Sequence, residues 1–266
     1  MTETAVAVLK AARPDVVVIV RGDGLGDDFW QAVADLGAAS IVWLYDEMRR
    51  TTWTPERLAT IGPIATYSPL DARDLAAAGV DADYLPLAYD SRATWTARES
   101  DEVSFVGARY PNREVLLRGL VDKGVPVRAY GRDWSGHLVD RLRTWRLGSP
   151  TIPAGRDLDR EHAYGVMAGS PATLNIHGDQ DGFTMRTFEA AGVGGVQLVD
   201  RPDVVSLYEP GREVLTFETA DEAADLIARI RADRPYAESI RRAAQARTAA
   251  EHTFDHRVAA LERRWA

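Results

Sequence analysis

A mostly parallel α/β fold is what this 266-residue sequence predicts, and three observations carry the prediction. Short apolar runs rich in Val, Ile and Leu recur along the chain. Stretches with the apolar spacing of a helix follow them, and strand-then-helix alternation is the mark of βα units. A polar segment, DSRATWTARESD at 90–101, divides two such blocks and reads as a linker. Two Rossmann-like domains with a cleft between them are therefore expected, the first over residues 1–92.

The elements follow in order. Residues 5–12 favour a helix that stops before Pro14. Val16–Val20 is a continuous β-branched run, which predicts a strand buried on both faces. Phe29, Trp30, Val33 and Leu36 form one stripe and predict a helix over Asp27–Leu36. Short strands are expected at 41–44, 64–67 and 84–87, with a helix at 71–78 that Gly79 closes. In the second block, strands at Val103–Val106, Val127–Tyr130, 172–176, 196–199 and 214–217 alternate with helices at 113–121, 159–167 and 184–191. Pro126 precedes its strand and leaves the ladder intact. Thr219 and Glu222 have capping-box spacing, and Pro235 sits in the first turn of the next helix. Thr253 opens the last helix, with Val258 and Leu261 expected to face inward.

Composition narrows the function. With 45% hydrophobic and 27% charged residues the chain can build real cores and is not disordered. No run of about 18 apolar residues predicts a transmembrane helix, and the N-terminal MTETAVAVLKAARPD has no secretory pattern. The absence of Cys excludes disulfides, thiol nucleophiles and cysteine metal sites, and a cytoplasmic protein is expected. A net charge of -8 argues against a nucleic-acid binder, which needs a basic face. It leaves room for a phosphorylated small ligand, for which a few local arginines suffice.

The most informative stretch is LNIHGDQDGFTMRTFEAAGVGGVQLVD, residues 174–200. A strand ends at His177, an acidic loop follows, and a helix opens near Thr184. The N–H groups of Gly182, Phe183 and Thr184 would sit at that helix N-terminus, a ready site for a diphosphate. Arg186 adds a positive charge in the first turn, and Glu189 can accept hydrogen bonds from a ribose.

Asp181 and Glu189 stand eight apart, and this frame resembles the E-x7-E region of retaining GT-B glycosyltransferases, with Asp for the first Glu. The wider text resembles the CgeB-type, spore maturation protein-like group. The pieces are PDVVVIV, SFVGARYPNREVLL, AYGRDW, LNIHG with RTFEAAGVGGVQLVD, EPGREVLTF and EHTFDHRVAAL. The resemblance runs from Arg13 onward and is most specific over 186–200. It implies a nucleotide-sugar donor bound by residues 93–253, and a final helix, 254–266, returning to the first domain. It implies that Glu189 holds the ribose, that Asp181 contacts the donor sugar, and that Gly107, Arg109 and Arg113 lie near the phosphates. His177 is a further candidate donor contact. Only 13 residues precede Pro14, so the N-terminal domain is expected to be a shortened GT-B half, with sheet edge or apolar surface for a homodimer contact or a partner protein.

Other motifs carry less. RGDGLGDD at 21–28 lacks the dinucleotide glycine spacing, and its acids repel a pyrophosphate, so a plain turn is expected. D-x-D pairs at Asp81/Asp83, Asp157/Asp159 and Asp179/Asp181 are cheap strings in an acidic chain, and no metal site is expected. His252 and His256 are four apart without a third ligand. Asp46, beside Glu47 at the end of IVWLY, is the candidate for orienting an acceptor hydroxyl or serving as base. Arg141, Arg143 and Arg146 read as a solvated face. The expected activity is sugar transfer from a nucleotide-sugar to an unidentified acceptor, with retention and without metal or cofactor. The alternative is a non-catalytic sugar-nucleotide-binding or partner-docking module.

Overall fold

The computed structural model describes residues 1–145 and 151–265, so Arg146 lies outside the described residues. The chain divides into two compact units: Met1–Leu87 with Gln180–Phe183 and Phe254–Ala266, and Ala88–Asp179 with Thr184–Thr253.

The first unit runs α1 (Thr2–Ala12), β1 (Val16–Val20), α2 (Asp27–Leu36), β2 (Ala39–Leu44), α3 (Pro55–Leu58), β3 (Ile64–Thr66), α4 (Pro69–Ala77) and β4 (Ala82–Tyr84). Its strands pair in parallel in the order β1-β2-β3-β4. Val42, Leu44 and Ile64 pack with Leu9, Phe29, Val33 and Leu75 into its core. Ser68 caps α4 by accepting from the Asp71 N–H, and Gly79 follows the helix at φ 81°. The C-terminal helix Phe254–Trp265 belongs to this unit.

Three sequence expectations are corrected here. Among the described residues Val16–Val20 is the edge strand of its sheet, paired only with β2, and Val18 and Val20 are 41% and 51% exposed. The strand expected at 84–87 lies at Ala82–Tyr84, where it pairs with Ile64–Thr66. In the last helix Val258 is exposed and Arg257 is buried instead. The Arg257 guanidinium donates to the carbonyls of Pro86 and Leu87, at 2.8 to 3.1 Å.

The second unit runs β5 (Val103–Val106), α5 (Pro111–Asp122), β6 (Val127–Tyr130), α6 (Leu138–Thr144), β7 (Ala154–Gly155), α7 (Arg160–Gly169), β8 (Thr173–Asn175), α8 (Met185–Gly192), β9 (Gln197–Val199), β10 (Leu215–Thr216), α9 (Ala220–Ala232) and α10 (Arg234–Glu251). The sheet is parallel, in the order β10-β9-β8-β5-β6-β7. Phe105, Leu117, Leu120, Val127, Leu174 and Ile227 belong to its core. The capping box differs in one partner: Glu222 N–H donates to Thr219, but the Glu222 carboxylate accepts from the N–H of Glu218.

The polar segment at 90–101 is not a free linker. Arg98 N–H donates to Gly165 O at 2.9 Å, and Ser100 N–H to Gly169 O at 3.2 Å. This extended chain lies so close along α7 that a Cβ on Gly165 or Gly169 would overlap the backbone of Thr96 or Arg98. Gly165→Ala and Gly169→Ala are each expected to lower stability by about 1–3 kcal/mol through overpacking, measured as a reduced urea midpoint. An unchanged midpoint in both would mean that the segment docks without constraint.

Candidate functional site

In the second unit the strand order reverses between β5 and β8: successive strands step one way from β5 and the other way from β8. Loops leaving the carboxyl ends of two such neighbours diverge, and ligands of open α/β sheets bind in the crevice this leaves. Gly107, Arg109 and Arg113 follow β5, while His177, Thr184, Arg186 and Glu189 follow β8. The topology therefore gathers these candidates at one switch point.

The loop after β5 is built tightly. Gly107 N–H donates to Tyr130 O at 3.0 Å, and Gly107 O accepts from the Trp134 indole at 2.9 Å. Arg109 forms a two-point pair with Glu114, at 3.0 and 2.6 Å, and its guanidinium stands over the Trp134 ring. Arg109 beside it holds the Glu114 carboxyl below the usual range. Arg113 is buried; its Nε donates to Ile176 O at 2.8 Å and its other arm to Ala108 O at 3.0 Å. Both arginines expected near phosphates thus make firm bonds to protein oxygens. Arg113 ties the end of β8 to the loop after β5, and Asn112 repeats the tie by donating to His177 O at 2.7 Å.

The loop after β8 is held from the other side. His177 N–H donates to the Asp200 carboxylate at 2.9 Å, and its buried ring lies with Nδ1 2.8 Å from Asp200 Oδ1. Asp200 ends the strand next door, so β5, β8 and β9 are strapped together at their carboxyl ends. Thr184 is the N-cap of α8 in extended conformation, and its side chain makes no cap bond. Inside α8, Asn175 donates to Thr187 Oγ1 and to Gln197 Oε1, both at 2.8 Å, and Phe188 packs on Tyr208 and His252.

Glu189 is only 3% exposed. Its Oε2 faces Arg186 at 2.5 Å, and its Oε1 accepts from Tyr164 OH at 3.4 Å. Burial, together with the Glu189 charge, pushes the Tyr164 phenol up and keeps it a neutral donor. Arg186, about a third exposed, is the member of the pair that reaches solvent.

Asp181, Gly182 and Phe183 belong to the first unit. Asp181 accepts from Ser68 Oγ at 2.6 Å and from Leu70 N–H at 2.9 Å, at the start of α4. Its own N–H donates to Glu47 Oε1 at 2.9 Å. Gly182 lies against Tyr67 with no room for a Cβ. Burial, with the charges of Glu47 and Asp181, pushes the Asp71 carboxyl up, and burial and Glu47 push the Tyr67 phenol up. Of the adjacent acids after β2, Glu47 is the buried one, facing Arg50 at 2.9 Å. Asp46 is a third exposed and pairs with Arg21 at 3.0 Å. The sequence signal for Glu47 was its place beside Asp46; strand alternation ends there, so it does not say which acid turns inward.

The D-x-D strings find other uses. Asp81 and Asp83 pair with Arg264, Asp157 with Arg132, and Asp159 caps α7 by accepting from the His162 N–H. Among the described residues no cluster of three or more His, Asp or Glu is placed to hold a metal ion. No described helix is long and apolar enough to cross a membrane.

The profile of one family, described as glycosyl transferase-like, matches residues 109–263, which is more than half of the chain. The chain belongs to the glycosyl transferase-like family. No curated protein sequence matches it. Solved structures do. HepE of Anabaena, in complex with UDP and glucose, has a TM-score of 0.68 at 12% identity over 98% of this chain and 80% of its own. A glycosyltransferase from Rickettsia africae gives 0.68 at 11% over 98% and 79%. The sucrose-phosphate synthase of Thermosynechococcus elongatus gives 0.66 at 13% over 98% and 76%. These likenesses establish the GT-B type of fold, with two Rossmann-like α/β halves, for this glycosyl transferase-like chain.

Two outcomes follow from the geometry. Asp181→Ala removes the bonds to Ser68 and Leu70 and should cost about 1–2 kcal/mol, read as a lower urea midpoint. A midpoint equal to wild type would show that these bonds carry no stability. Glu114 is held below its ordinary value of 4.5, so its pair with Arg109 contributes in full above about pH 4.5 and is lost as pH falls through the folded value. Glu114→Gln should therefore flatten the acid limb of a stability-versus-pH curve.

Proposed function

We propose that this chain transfers a sugar from a nucleotide-sugar to an acceptor hydroxyl, as a CgeB-type enzyme that retains anomeric configuration and uses no metal ion. The observation that carries the reading is the convergence of the candidate donor residues of the second unit on the β5/β8 switch point. HepE, which shares the fold, has been solved with UDP-glucose, and a nucleoside diphosphate sugar is accordingly the donor class assigned to this site.

In this mechanism the diphosphate lies at the uncapped N-terminus of α8, where first-turn N–H groups and the helix dipole meet its charge. Arg186 swings from Glu189 to the phosphates. The Glu189 carboxylate has room for about four hydrogen bonds, and it takes the two vicinal ribose hydroxyls. Retention needs no protein nucleophile, so the main task is to stabilise the departing diphosphate, and preorganised donors do this well. Asp181 acts by fixing the loop ahead of α8 through its bonds to Ser68 and Leu70. Asp46, at the carboxyl end of β2, orients the acceptor.

Isothermal titration with UDP and UDP-glucose, in EDTA throughout, tests the assignment. Charge-assisted hydrogen bonds are worth about 1.5–3 kcal/mol each. Glu189→Ala should thus weaken nucleotide binding at least about tenfold, with the fold verified by circular dichroism. Equal affinity in wild type and variant would remove Glu189 from the donor site. Binding that vanishes in EDTA and returns with Mn²⁺ would replace the metal-free mechanism. Binding without turnover of any acceptor would favour the non-catalytic module.

A further inference from the structure

Tyr164 belongs to α7 and Glu189 to α8, and both side chains are buried within the second unit. The direction of their 3.4 Å hydrogen bond is decided by a neighbour. Asp90 N–H donates to the Tyr164 oxygen, also at 3.4 Å. An N–H can only donate, so the phenol accepts there, and its single proton is left for Glu189 Oε1. The ring is held by packing. It lies on Tyr89 at a centroid distance of 5.4 Å, and Tyr89 in turn fills the space against Gly192 of α8, where a Cβ would overlap it. The Tyr89 hydroxyl accepts from the Trp95 indole at 3.3 Å, and the Asp90 carboxylate pairs with Arg160 at 2.5 Å. A fixed frame thus delivers one O–H to one carboxylate oxygen.

The last torsion of a glutamate is soft, so a carboxylate needs a placed donor to hold its plane. The partner of Oε2, Arg186, is the group that the proposed mechanism sends to the phosphates. Among the described residues Tyr164 is then the group still bonded to this carboxylate. We propose that Tyr164 is a positioning residue that sets nucleotide specificity: its O–H fixes the Glu189 carboxylate so that both oxygens meet the vicinal hydroxyls of a ribose, and the site selects ribonucleotides over 2′-deoxyribonucleotides. The inference rests on the assignment of Glu189 to the donor ribose. A carboxylate has room for about four hydrogen bonds. The phenol takes one on Oε1, which leaves lone pairs on both oxygens for the two hydroxyls. A 2′-deoxyribose leaves one of those buried positions unpaired, and a site built in this way rejects the analogue that lacks the hydroxyl.

The test is isothermal titration of the full chain with UDP and with 2′-deoxy-UDP, read as the ratio of the two dissociation constants. A partly folded sample scales both constants alike, so the ratio survives a loss of stability. Wild type should prefer UDP at least about tenfold, and Glu189→Ala should bring the ratio to about one. Tyr164→Phe keeps the ring on Tyr89 and should reduce the preference about threefold or more, chiefly by weakening UDP. Tyr89→Phe removes a hydroxyl from the same stack but not the one on Glu189, and should keep the wild-type preference. A Tyr164→Phe protein that retains the preference, beside a Glu189→Ala protein that has lost it, overturns the inference and leaves the donor assignment standing. An equal fall in Tyr89→Phe and Tyr164→Phe overturns it too, because the stack rather than the O–H would then be responsible. Wild type that binds the two nucleotides alike removes the donor assignment, and this inference with it.

Discussion

The adjacency of β5 and β8 is the constraint on which the second unit depends. Two strands separated by some seventy residues of chain lie side by side in parallel, Phe105 opposite Leu174. Everything chemically interesting in that unit hangs from their carboxyl ends. The strands alone do not hold the ends together, because each ladder is short. The tie is made by side chains that reach across: Arg113 to the Ile176 carbonyl, Asn112 to the His177 carbonyl, and Asp200 to the His177 N–H. A buried guanidinium with no backbone oxygen to bond would carry a large desolvation penalty, so the same bonds that position the loops also make Arg113 tolerable inside.

Guanidinium groups play this part elsewhere in the chain. Arg241 donates to the carbonyls of Ala168, Gly194 and Ser170, gathering the ends of α7 and α8. Arg257 does the same for Pro86 and Leu87 in the first unit. In both units an irregular stretch of backbone leaves several carbonyls pointing at one place, and one planar cation satisfies them together. Arginine content in this sequence is therefore as much a backbone-ordering device as a sign of anionic ligands.

This explains what sequence reading recovers and what it misses. Helices with an apolar stripe, such as α2, and strands such as β5 and β6 are legible because periodicity and flanking Gly or Pro are local facts. The edge position of β1 is not local: a run of valines looks alike whether a further strand lies beside it or none does. The docking of residues 94–100 on α7 is hidden because its signal is the smallness of Gly165 and Gly169, far along the chain. The candidate site is legible as a segment, since 174–200 carries its glycines, acids and Arg186 in order. The partners of its charged groups are not, because Arg109 bonds equally well to a phosphate or to Glu114. Helix α6 is missed altogether, because seven residues give too little periodicity to register and Arg141 and Arg143 read only as a solvated face.

The first unit is discontinuous along the chain. Residues 1–87 supply its sheet, but Asp181, which caps α4 from outside, and the C-terminal helix, which buries Arg257 and Leu261, arrive much later in the chain. No single cut in the sequence releases it whole. A ribosome-tethered chain that has emerged only as far as β4 lacks two of the pieces its native state uses, so this unit can finish folding only after the rest has been synthesised. The second unit, interrupted by just four residues, carries no such delay until α10 is complete, and the order of synthesis is therefore the reverse of the order of completion.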